Sequence, residues 1–499
     1  MGRAHTTGHV RERAAEAPDL FAELREREFG YLDEGGHTYL DHTGAGLPPR
    51  SLVAGSARRI TGGLYGNPHS ESPASRASGD RLAEAREAVL RYFNADPAEY
   101  AVIFTPNATG ALRLIGEAYP LGRGSRLVLS LDNHNSVNGL REYARARGAA
   151  VEYVPLRTPD LAIDEDRMHD ALSVRARRPG GRAHVHMHGL GRGRGHDRDG
   201  SRGLLAYPAQ SNFTGVQHSL DWIATAQAQG YDVVLDAAAY VPTNALDLGR
   251  HHPDFTVVSW YKVFGHPTGI GALVARRAAL ARLRRPWFAG GTIYAVSAQA
   301  QWHVLADDEA AFEDGTVNFL AIPDVTAGLA WIERIGIDRV HDHVEALTGQ
   351  LLAGLRTLRH SNGSPLVRVY GPDRTGTPRG GTVALNVLGA DGGVVDERVI
   401  IRDSAAYGIS LRTGCFCNPG AGEAAFELPL RRLHRAARRR LGSLEDYLKM
   451  LHLPSAGAVR ISLGVASQPG DVETFLSYVA QTYRDRVPDV AGLAPRHGC

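Results

Sequence analysis

The chain has 499 residues and a formal net charge of +2 at pH 7. This length exceeds what one hydrophobic core supports and predicts two or three domains, while the balanced charge argues against a general nucleic-acid or membrane-surface binder. No apolar run is long enough to span a bilayer, and the polar N-terminus carries no secretion signal. Three cysteines, Cys415, Cys417 and Cys499, cannot form a disulfide framework in so long a chain, so we expect a cytoplasmic protein.

Helical segments alternate with short apolar segments through the first 295 residues. This alternation predicts an α/β fold with a mostly parallel sheet and crossover helices. The predicted helices cover residues 8–30 and Asp80–Phe93, and a third begins near Thr109. The predicted strands are Ala101–Phe104, 126–131, 151–156, 232–236 and 255–259. Residues 175–203, rich in Gly, Arg and His, predict a mobile insertion, with a metal- or RNA-binding tail as the alternative.

The pattern changes after about Pro286 to that of a smaller α+β domain. Its predicted helices are Val325–Ile335 and Val340–Leu358, and its predicted strands are Val367–Tyr370, Thr382–Leu388 and 459–464. We therefore expect an N-terminal segment, 1–40, that packs on the small domain. A large domain, 41–295, and a small C-terminal domain, 296–499, follow it.

Lys262 is one of only two lysines in a chain with 56 Lys plus Arg. It follows a strand in an apolar turn, and such a lysine indicates chemistry that needs a primary amine, since burial lowers its pKa. Asp236 ends the strand VVLD, which is expected to lie next to the strand before Lys262. A carboxylate and a lysine on adjacent strand ends suit pyridoxal phosphate (PLP), because the acid keeps the pyridine nitrogen protonated. The alternative is a helix cap at Asp236 and a surface position for Lys262.

Other strand ends could complete such a site. The turn TPNATG, 105–110, lies between a strand and a helix, so its amides and the Thr109 hydroxyl could face a phosphate. Ser259, three residues before Lys262, could offer a second hydroxyl. His134 ends another strand and could stack on a planar cofactor, or it could be a hydrogen-bonded turn residue.

A cysteine-containing segment, RTGCFCNPGAG at 412–422, is the second informative feature. The spacing of Cys415 and Cys417 fits neither a zinc site nor a CxxC redox pair, so no metal is expected. Its glycines and proline predict a flexible, exposed loop. A thiol there, near the cationic Arg412, is expected to be nucleophilic; the alternative is two passive cysteines.

Ten motifs, in order, resemble those of the class V aminotransferase group of fold-type I PLP enzymes. The resemblance is specifically to the cysteine desulfurase-like domain of molybdenum cofactor sulfurases, and it covers roughly residues 20–480. The motifs are YLDHTGAG (39–46), GNPHS (66–70), FTPNATGALRL (104–114), DNHNSV (132–137), QSNFTG (210–215), LDAAAYVPT (235–243), SWYKVFGHPTGIGAL (259–273), GGTI (290–293), FEDGTVNFL (312–320) and RTGCFCNPGAG (412–422).

The resemblance implies that the large domain binds PLP. Lys262 would be the Schiff-base lysine, Asp236 the partner of the pyridinium nitrogen, and His134 the residue that stacks on the ring. Asn212 would lie beside the phenolic oxygen of the cofactor and the substrate carboxylate. The phosphate site would consist of Ala108, Thr109, Ser259 and, from the other subunit of a dimer, Thr292.

The resemblance also implies that Arg460 binds the substrate carboxylate and that Cys417 accepts the sulfur. Three positions depart from the pattern. Cysteine desulfurases commonly have a Gln and a His where this chain has Ala239 and Tyr261, and sulfurases usually have a cysteine in place of Gly422. Eukaryotic sulfurases append a domain that holds the molybdenum cofactor, and we expect none in this chain.

We therefore expect a PLP-dependent cysteine desulfurase that takes sulfur from L-cysteine through a persulfide on Cys417 and releases alanine. Its expected partners are an amino-acid substrate, a sulfur-acceptor protein and a second copy of the chain in a homodimer, with no nucleic acid and no membrane. One alternative is a PLP-dependent lyase, epimerase or aminotransferase acting on another amino acid. The other is a non-enzymatic protein that binds RNA or metal through 175–203, or that only carries sulfur.

Overall fold

The computed structural model describes residues 19–174, 202–373, 378–438, 443–451, 453, 455, 457–494 and 496. Most of the predicted insertion, 175–201, and residues 8–18 of the first predicted helix lie outside these ranges. Within them, we find no helix with the length and apolar character needed to cross a membrane.

The strands of the described residues share short lengths of two to six residues. In chain order they are β1 (Thr38–Tyr39), β2 (Tyr100–Thr105), β3 (Arg126–Ser130), β4 (Ala150–Val154), β5 (Leu156–Arg157), β6 (Ala162–Ile163), β7 (Gly203–Pro208), β8 (Tyr231–Asp236), β9 (Phe255–Ser259), β10 (Gly271–Arg276), β11 (Ile293–Ser297), β12 (Trp302–Leu305), β13 (Val367–Tyr370), β14 (Thr382–Val387), β15 (Ile409–Ser410), β16 (Arg412–Gly414) and β17 (Ala458–Ser462).

The helices range from single turns to the long α14 of the small domain. In chain order they are α1 (Leu20–Phe29), α2 (Tyr31–Glu34), α3 (Arg50–Gly62), α4 (Pro73–Tyr92), α5 (Ala108–Ala118), α6 (Asn135–Asn138), α7 (Leu140–Ala146), α8 (Glu165–Ser173), α9 (Asp221–Ala228), α10 (Leu248–His251), α11 (Trp260–Phe264), α12 (Arg277–Leu280), α13 (Pro323–Ile335), α14 (Ile337–Thr357), α15 (Glu397–Ala406), α16 (Pro419–Ala425), α17 (Leu430–Ala437), α18 (Leu444–Leu451) and α19 (Pro469–Tyr483), with a 3-10 helix at Glu309–Phe312.

A seven-stranded sheet forms the centre of the large part of the molecule. Its strand order is β2-β10-β9-β8-β7-β3-β4, and only β10 runs antiparallel to its neighbours. Strands β7, β8 and β9 are buried along their whole length, as the apolar runs of the sequence require of a sheet covered on both faces. The prediction of an α/β fold with a mostly parallel sheet is confirmed. In such a sheet the carboxyl ends of the parallel strands meet at one edge, where ligands bind.

A four-stranded antiparallel sheet, in the order β13-β14-β17-β16, forms the smaller part. Its core includes Leu351 of α14 and Phe475 of α19. The described part of the N-terminal segment contacts this region, because the Phe21 ring stacks on His343 with ring centroids 3.8 Å apart. Arg25 also donates a hydrogen bond to the carbonyl oxygen of Ala466, at 2.7 Å. The domain boundaries at 40 and 295 stay predictions.

Three local predictions were wrong. Helix α4 begins at Pro73 rather than at Asp80, because Ser72 caps it by accepting a hydrogen bond from the amide of Ser75. Lys262 lies on the short helix α11 rather than in a turn, since Trp260 and Phe264, four residues apart, stack on one buried face of that helix. The loop that carries the cysteines is only four residues long, because β16 precedes it and α16 follows it directly.

Candidate active site

A cavity of about 150 Å³ lies at the carboxyl ends of the parallel strands. Its walls come from segments that follow β2, β3, β7, β8 and β9, so it lies where an α/β sheet binds ligands. Of the site residues predicted from the sequence, it is lined by Ala108, Thr109, His134, Asn212, Asp236, Ser259 and Lys262. Arg460, Cys417 and Thr292 do not line it.

Asp236, at the end of β8, and Lys262, on the helix that follows β9, face this cavity. Strands β8 and β9 are parallel neighbours, and Asp236 pairs in register with Val257. Burial lowers the pKa of Lys262, and the positive charge of Arg460 lowers it further, although the negative charge of Asp236 partly opposes both. A lysine with a lowered pKa holds more of its amine uncharged, which is the form that attacks a carbonyl carbon.

A candidate anion site lies where α5 begins. Asn107 caps the helix by accepting a hydrogen bond from the amide of Gly110 at 2.9 Å, and the amide of Ala108 donates to the Ser259 hydroxyl at 2.9 Å. The hydroxyls of Thr109 and Ser136 lie 2.7 Å apart on the cavity wall. A helix N-terminus combined with hydroxyl groups suits a phosphate.

This anion site depends on a close approach of two backbone segments. A Cβ atom added to Gly271 of β10 would lie 2.5 Å from the carbonyl carbon of Asn107 and 2.8 Å from the carbonyl oxygen of Val258. Only glycine therefore lets β10 pass between the strand end and the start of α5 without displacing them.

His134 caps the short helix α6 and lines the cavity. Its Nδ1 accepts a hydrogen bond from the amide of Ser136 at 3.2 Å, which places the proton of the neutral ring on Nε2. Burial, with the positive charge of Lys262, lowers the pKa of His134. The imidazole is therefore neutral near pH 7, and its face can pack on a flat ligand.

Asn212 joins the cavity wall to the cysteine segment, residues 415–418. Its Oδ1 accepts a hydrogen bond from Asn418 at 2.9 Å, and its Nδ2 donates to the carbonyl oxygen of Phe416 at 2.8 Å. The carbonyl oxygen of Cys417 accepts from the amide of Asn135, next to His134, at 2.6 Å. This short segment is hydrogen-bonded to the cavity wall, and only its Cys417 side chain is well exposed. The exposed thiol agrees with the prediction, whereas the flexibility of the loop stays a prediction.

Arg460 lies on β17, behind Asn212, and is 2% exposed. It donates hydrogen bonds to Asp41 Oδ1 at 2.6 Å and to the carbonyl oxygen of Asn212 at 3.0 Å, and the ring of Phe416 covers its guanidinium. The other oxygen of Asp41 accepts from Arg412 at 2.9 Å. The buried Nε of Arg460 has no acceptor among the described residues. Among the guanidinium nitrogens, Nε is therefore the one without a described partner and can donate to a ligand, although Asp41 and the ring of Phe416 contact the same guanidinium.

Thr292 lies apart from the cavity. Its hydroxyl donates to the carbonyl oxygen of Ala289 at 2.8 Å and accepts from the amide of the same residue, in a turn before the hairpin of β11 and β12. This hairpin exposes Tyr294 and Trp302, at 84% and 49%. The role of Thr292 in a second subunit stays a prediction.

Two of the three departures from the family pattern, Ala239 and Tyr261, line the cavity. The side chain of Gln210 lines it and donates a hydrogen bond to the carbonyl oxygen of Ala239 at 2.8 Å. Tyr261 also lines it, and burial raises the pKa of its phenol. Gln210, which follows the neighbouring strand β7, thus places an amide side chain next to Ala239.

Sequence reasoning missed several residues that the structure brings to the site. They belong to the motifs quoted above, but nothing in their spacing showed their partners: Asp41, Asp132, Ser136, Gln210 and Asn418. Asp132 and Asn418, for example, are hydrogen-bonded although 286 positions separate them.

The polar groups of the cavity fit the three reactive parts of PLP. A lysine amine can bind its aldehyde, a buried carboxylate can pair with its ring nitrogen, and the start of α5 with the Ser259 and Thr109 hydroxyls can hold its phosphate. The neutral His134 ring can pack on its ring face. The hydrogen bonds that these residues make in the structure leave each of these roles possible.

Comparisons with known proteins agree with this geometry. The family model for aminotransferase class-V matches residues 38–177 and 199–475. The chain is 34% identical to molybdenum cofactor sulfurase of Homo sapiens over 487 residues, which cover 93% of this chain and 52% of that protein. It is 35% identical to molybdenum cofactor sulfurase of Oryza sativa subsp. japonica over 484 residues, covering 94% and 58%. The chain thus spans about half the length of the curated relatives it matches.

Solved structures give the same fold. An apo cysteine desulfurase from Thermococcus onnurineus NA1 superposes with a TM-score of 0.73 at 23% identity, covering 94% of this chain and 99% of that one. The cysteine desulfurase CsdA from Escherichia coli gives 0.68 at 21% identity, covering 93% and 98%. These similarities confirm the predicted fold class.

Proposed function

Because the chain belongs to the aminotransferase class-V family, we propose that it is a PLP-dependent enzyme that removes sulfur from L-cysteine. The products are alanine and a persulfide on Cys417. The observation that carries the proposal is the pair of hydrogen bonds between Asn212, on the cavity wall, and the segment that bears Cys417. They tie an exposed thiol to the cavity that Lys262 and Asp236 line. The curated relatives are named sulfurases, which supports sulfur transfer as the type of reaction.

Different residues of the cavity transfer the substrate proton and bind the ring of the cofactor. When bound, PLP supplies an electron sink for negative charge at the substrate Cα. Lys262, with its lowered pKa, accepts the Cα proton at Nζ. Asp236 holds a proton at the pyridine nitrogen. The neutral His134 packs on the ring without adding a third positive charge beside Lys262 and Arg460.

Substrate orientation falls to Arg460 and Asn212. The unpartnered Nε of Arg460 is a buried donor, and a donor of this kind is costly to leave unsatisfied. A substrate carboxylate would satisfy it. Asn212 already accepts and donates hydrogen bonds through its amide, so it aligns the cysteine segment with the amino acid in the cavity.

Cys417 carries out the sulfur step. Its thiolate attacks the sulfur of the substrate, a sulfur–sulfur bond forms, and the bond between that sulfur and Cβ breaks. The electron pair of the broken bond stays with Cβ, which takes a proton, and Lys262 returns a proton to Cα, so that alanine is released. Sulfur is oxidised to the persulfide level and Cβ is reduced, so the step needs no outside oxidant.

We further propose that the active form is a homodimer that passes its sulfur to an acceptor protein. The hairpin of β11 and β12 supports the dimer, because it exposes the apolar side chains of Tyr294, Trp302 and Val304. Exposed apolar patches often mark surfaces that contact another protein. Cytoplasmic location and the lack of a nucleic-acid partner stay predictions from composition.

Incubation of the PLP-loaded protein with L-cysteine tests the proposal. We expect stoichiometric alanine and a mass increase of one sulfur on the peptide that contains Cys417. Lys262→Ala is expected to abolish alanine formation, and Cys417→Ser to abolish the persulfide. The proposal is wrong if the wild type forms no alanine, or if Cys417→Ser matches the wild type. Conversion of another amino acid that does not depend on Cys417 would favour the lyase, epimerase or aminotransferase alternative.

A further inference from the structure

A buried carboxylate lies beneath the cysteine segment. Asp132 follows β3 and is 0% exposed. Its Oδ1 accepts hydrogen bonds from the Ser211 hydroxyl at 2.8 Å and from Asn418 Nδ2 at 2.6 Å, and its Oδ2 accepts from His218 at 2.8 Å. A carboxylate buried this deeply needs such partners, so its interactions are fixed by the fold.

Asn418 connects this carboxylate to both the cysteine segment and the cavity. It is 0% exposed, and its amide group donates to Asp132 and to Asn212 Oδ1. Its Oδ1 accepts from the amide of Ala421 and caps α16, while its backbone amide donates to the carbonyl oxygen of Cys415 at 2.9 Å. Asn418 thus fixes the two ends of the turn, one through its backbone amide and the other through its side chain.

The backbone of this turn, residues 415–418, has an unfavourable conformation that contacts with neighbouring residues must stabilise. Phe416 and Cys417 both have φ of +54°, in the left-handed region that non-glycine residues seldom adopt. Two such residues in succession persist only where neighbouring contacts hold them. The contacts at hand are those of Asn418, Asn212 and Asn135.

We propose that Asp132 and Asn418 are positioning residues that hold Cys417 in register with the amino acid in the cavity. The inference rests on the proposed function, because it assigns these residues to the sulfur step. The link runs from the Asp132 carboxylate through the Asn418 amide to Asn212. Hydrogen bonds to a carboxylate are stronger than those between neutral groups, and small misplacements of a nucleophile slow attack greatly.

The variant Asn418→Ser tests the proposal. A serine keeps an oxygen that can cap α16, but it has neither of the two amide hydrogens that reach Asp132 and Asn212. Asn386→Ala is the matched control. It removes an asparagine that is also buried, at 2% exposed, and that is hydrogen-bonded to Tyr370 and to the Gly457 carbonyl oxygen. Asn386 does not line the cavity.

Three measurements separate positioning from general damage. In single-turnover experiments we expect Asn418→Ser to form the Cys417 persulfide at least about tenfold more slowly, with KM for L-cysteine within about threefold of the wild type. L-alanine binding, followed by the absorbance of the cofactor, is expected to be unchanged. Alkylation of Cys417 by iodoacetamide, followed by peptide mass, is expected to accelerate at least about threefold as the turn loosens.

The outcomes distinguish this inference from the proposed function. A wild type that forms no persulfide contradicts the proposed function, while the alkylation rates still report whether Asn418 holds the turn. A wild type that works, with an Asn418→Ser variant of equal persulfide and alkylation rates, overturns the positioning role alone. Equal losses in Asn386→Ala would also overturn it. If Asn418→Ser lowers the melting temperature by more than the control does, Asp132→Asn replaces it, since that change keeps the size while it removes the charge and one of the two acceptor oxygens.

Discussion

Asp41 binds two arginines at the site, and its replacement by asparagine tests whether its negative charge weakens the binding of a substrate carboxylate at Arg460. Arg460 is 2% exposed and donates to Asp41 at 2.6 Å, whereas the Arg412 side chain is 51% exposed. A buried charge that loses its partner costs about 3–5 kcal/mol, and an exposed pair contributes about 0–1 kcal/mol. Since asparagine keeps one acceptor oxygen, we expect Asp41→Asn to lower the free energy of unfolding by about 3 kcal/mol.

The same change should strengthen binding of a ligand carboxylate. In the wild type, a carboxylate at Arg460 lies near that of Asp41, and two like charges repel. We expect Asp41→Asn to bind L-alanine about tenfold more tightly, a difference of about 1.4 kcal/mol. The assay is urea unfolding of the PLP-loaded protein with and without L-alanine, together with an absorbance titration.

Glu142→Gln is the control for loss of an acidic partner of arginine. Glu142 is 63% exposed and pairs with Arg141 and Arg145 at the surface, so its loss should change the stability little. The reasoning fails if Asp41→Asn is as stable as this control, or if it binds L-alanine more weakly than the wild type.

Other expectations concern the cofactor. Because burial lowers the pKa of Lys262, borohydride-trapped attachment of PLP to the apoprotein should increase with pH about a midpoint below that of an ordinary lysine, and Lys262→Arg, which stays charged, should show none. Asp236→Asn should slow alanine formation about 100-fold with little change in KM, measured by steady-state kinetics; a loss of only twofold would contradict its role at the ring nitrogen. Gly271→Ala should weaken PLP binding about tenfold in an absorbance titration, since its Cβ would displace the start of α5, and unchanged affinity would refute that reasoning.

The sequence was sufficient to pair Lys262 with Asp236. Both follow apolar runs that read as buried parallel strands, and such strands end at the same edge of a sheet. The helix that carries Lys262 was missed, because five residues give too little periodicity to distinguish a helical turn from a bend.

The state of the cysteine segment could not be predicted from its composition. Glycines and a proline favour a mobile loop, but this one is held by Asn418 and Asn212 through partners more than 200 positions away. The same holds for Arg460, whose shielding depends on Asp41 at the other end of the chain. Motifs indicated which residues matter, whereas the contacts between motifs required coordinates.

The antiparallel strand β10 couples the position of Lys262 to that of the candidate anion site at the start of α5. Its Gly271 pairs with Ser259 of β9 on one side and with Thr105 of β2 on the other, directly beside both sites. A fluctuation that detaches the start of β10 would loosen both the start of α11, which carries Lys262, and the start of α5 in the same opening event. Amide hydrogens at the start of β10 should therefore exchange with solvent deuterium at the rate at which the protein releases its cofactor.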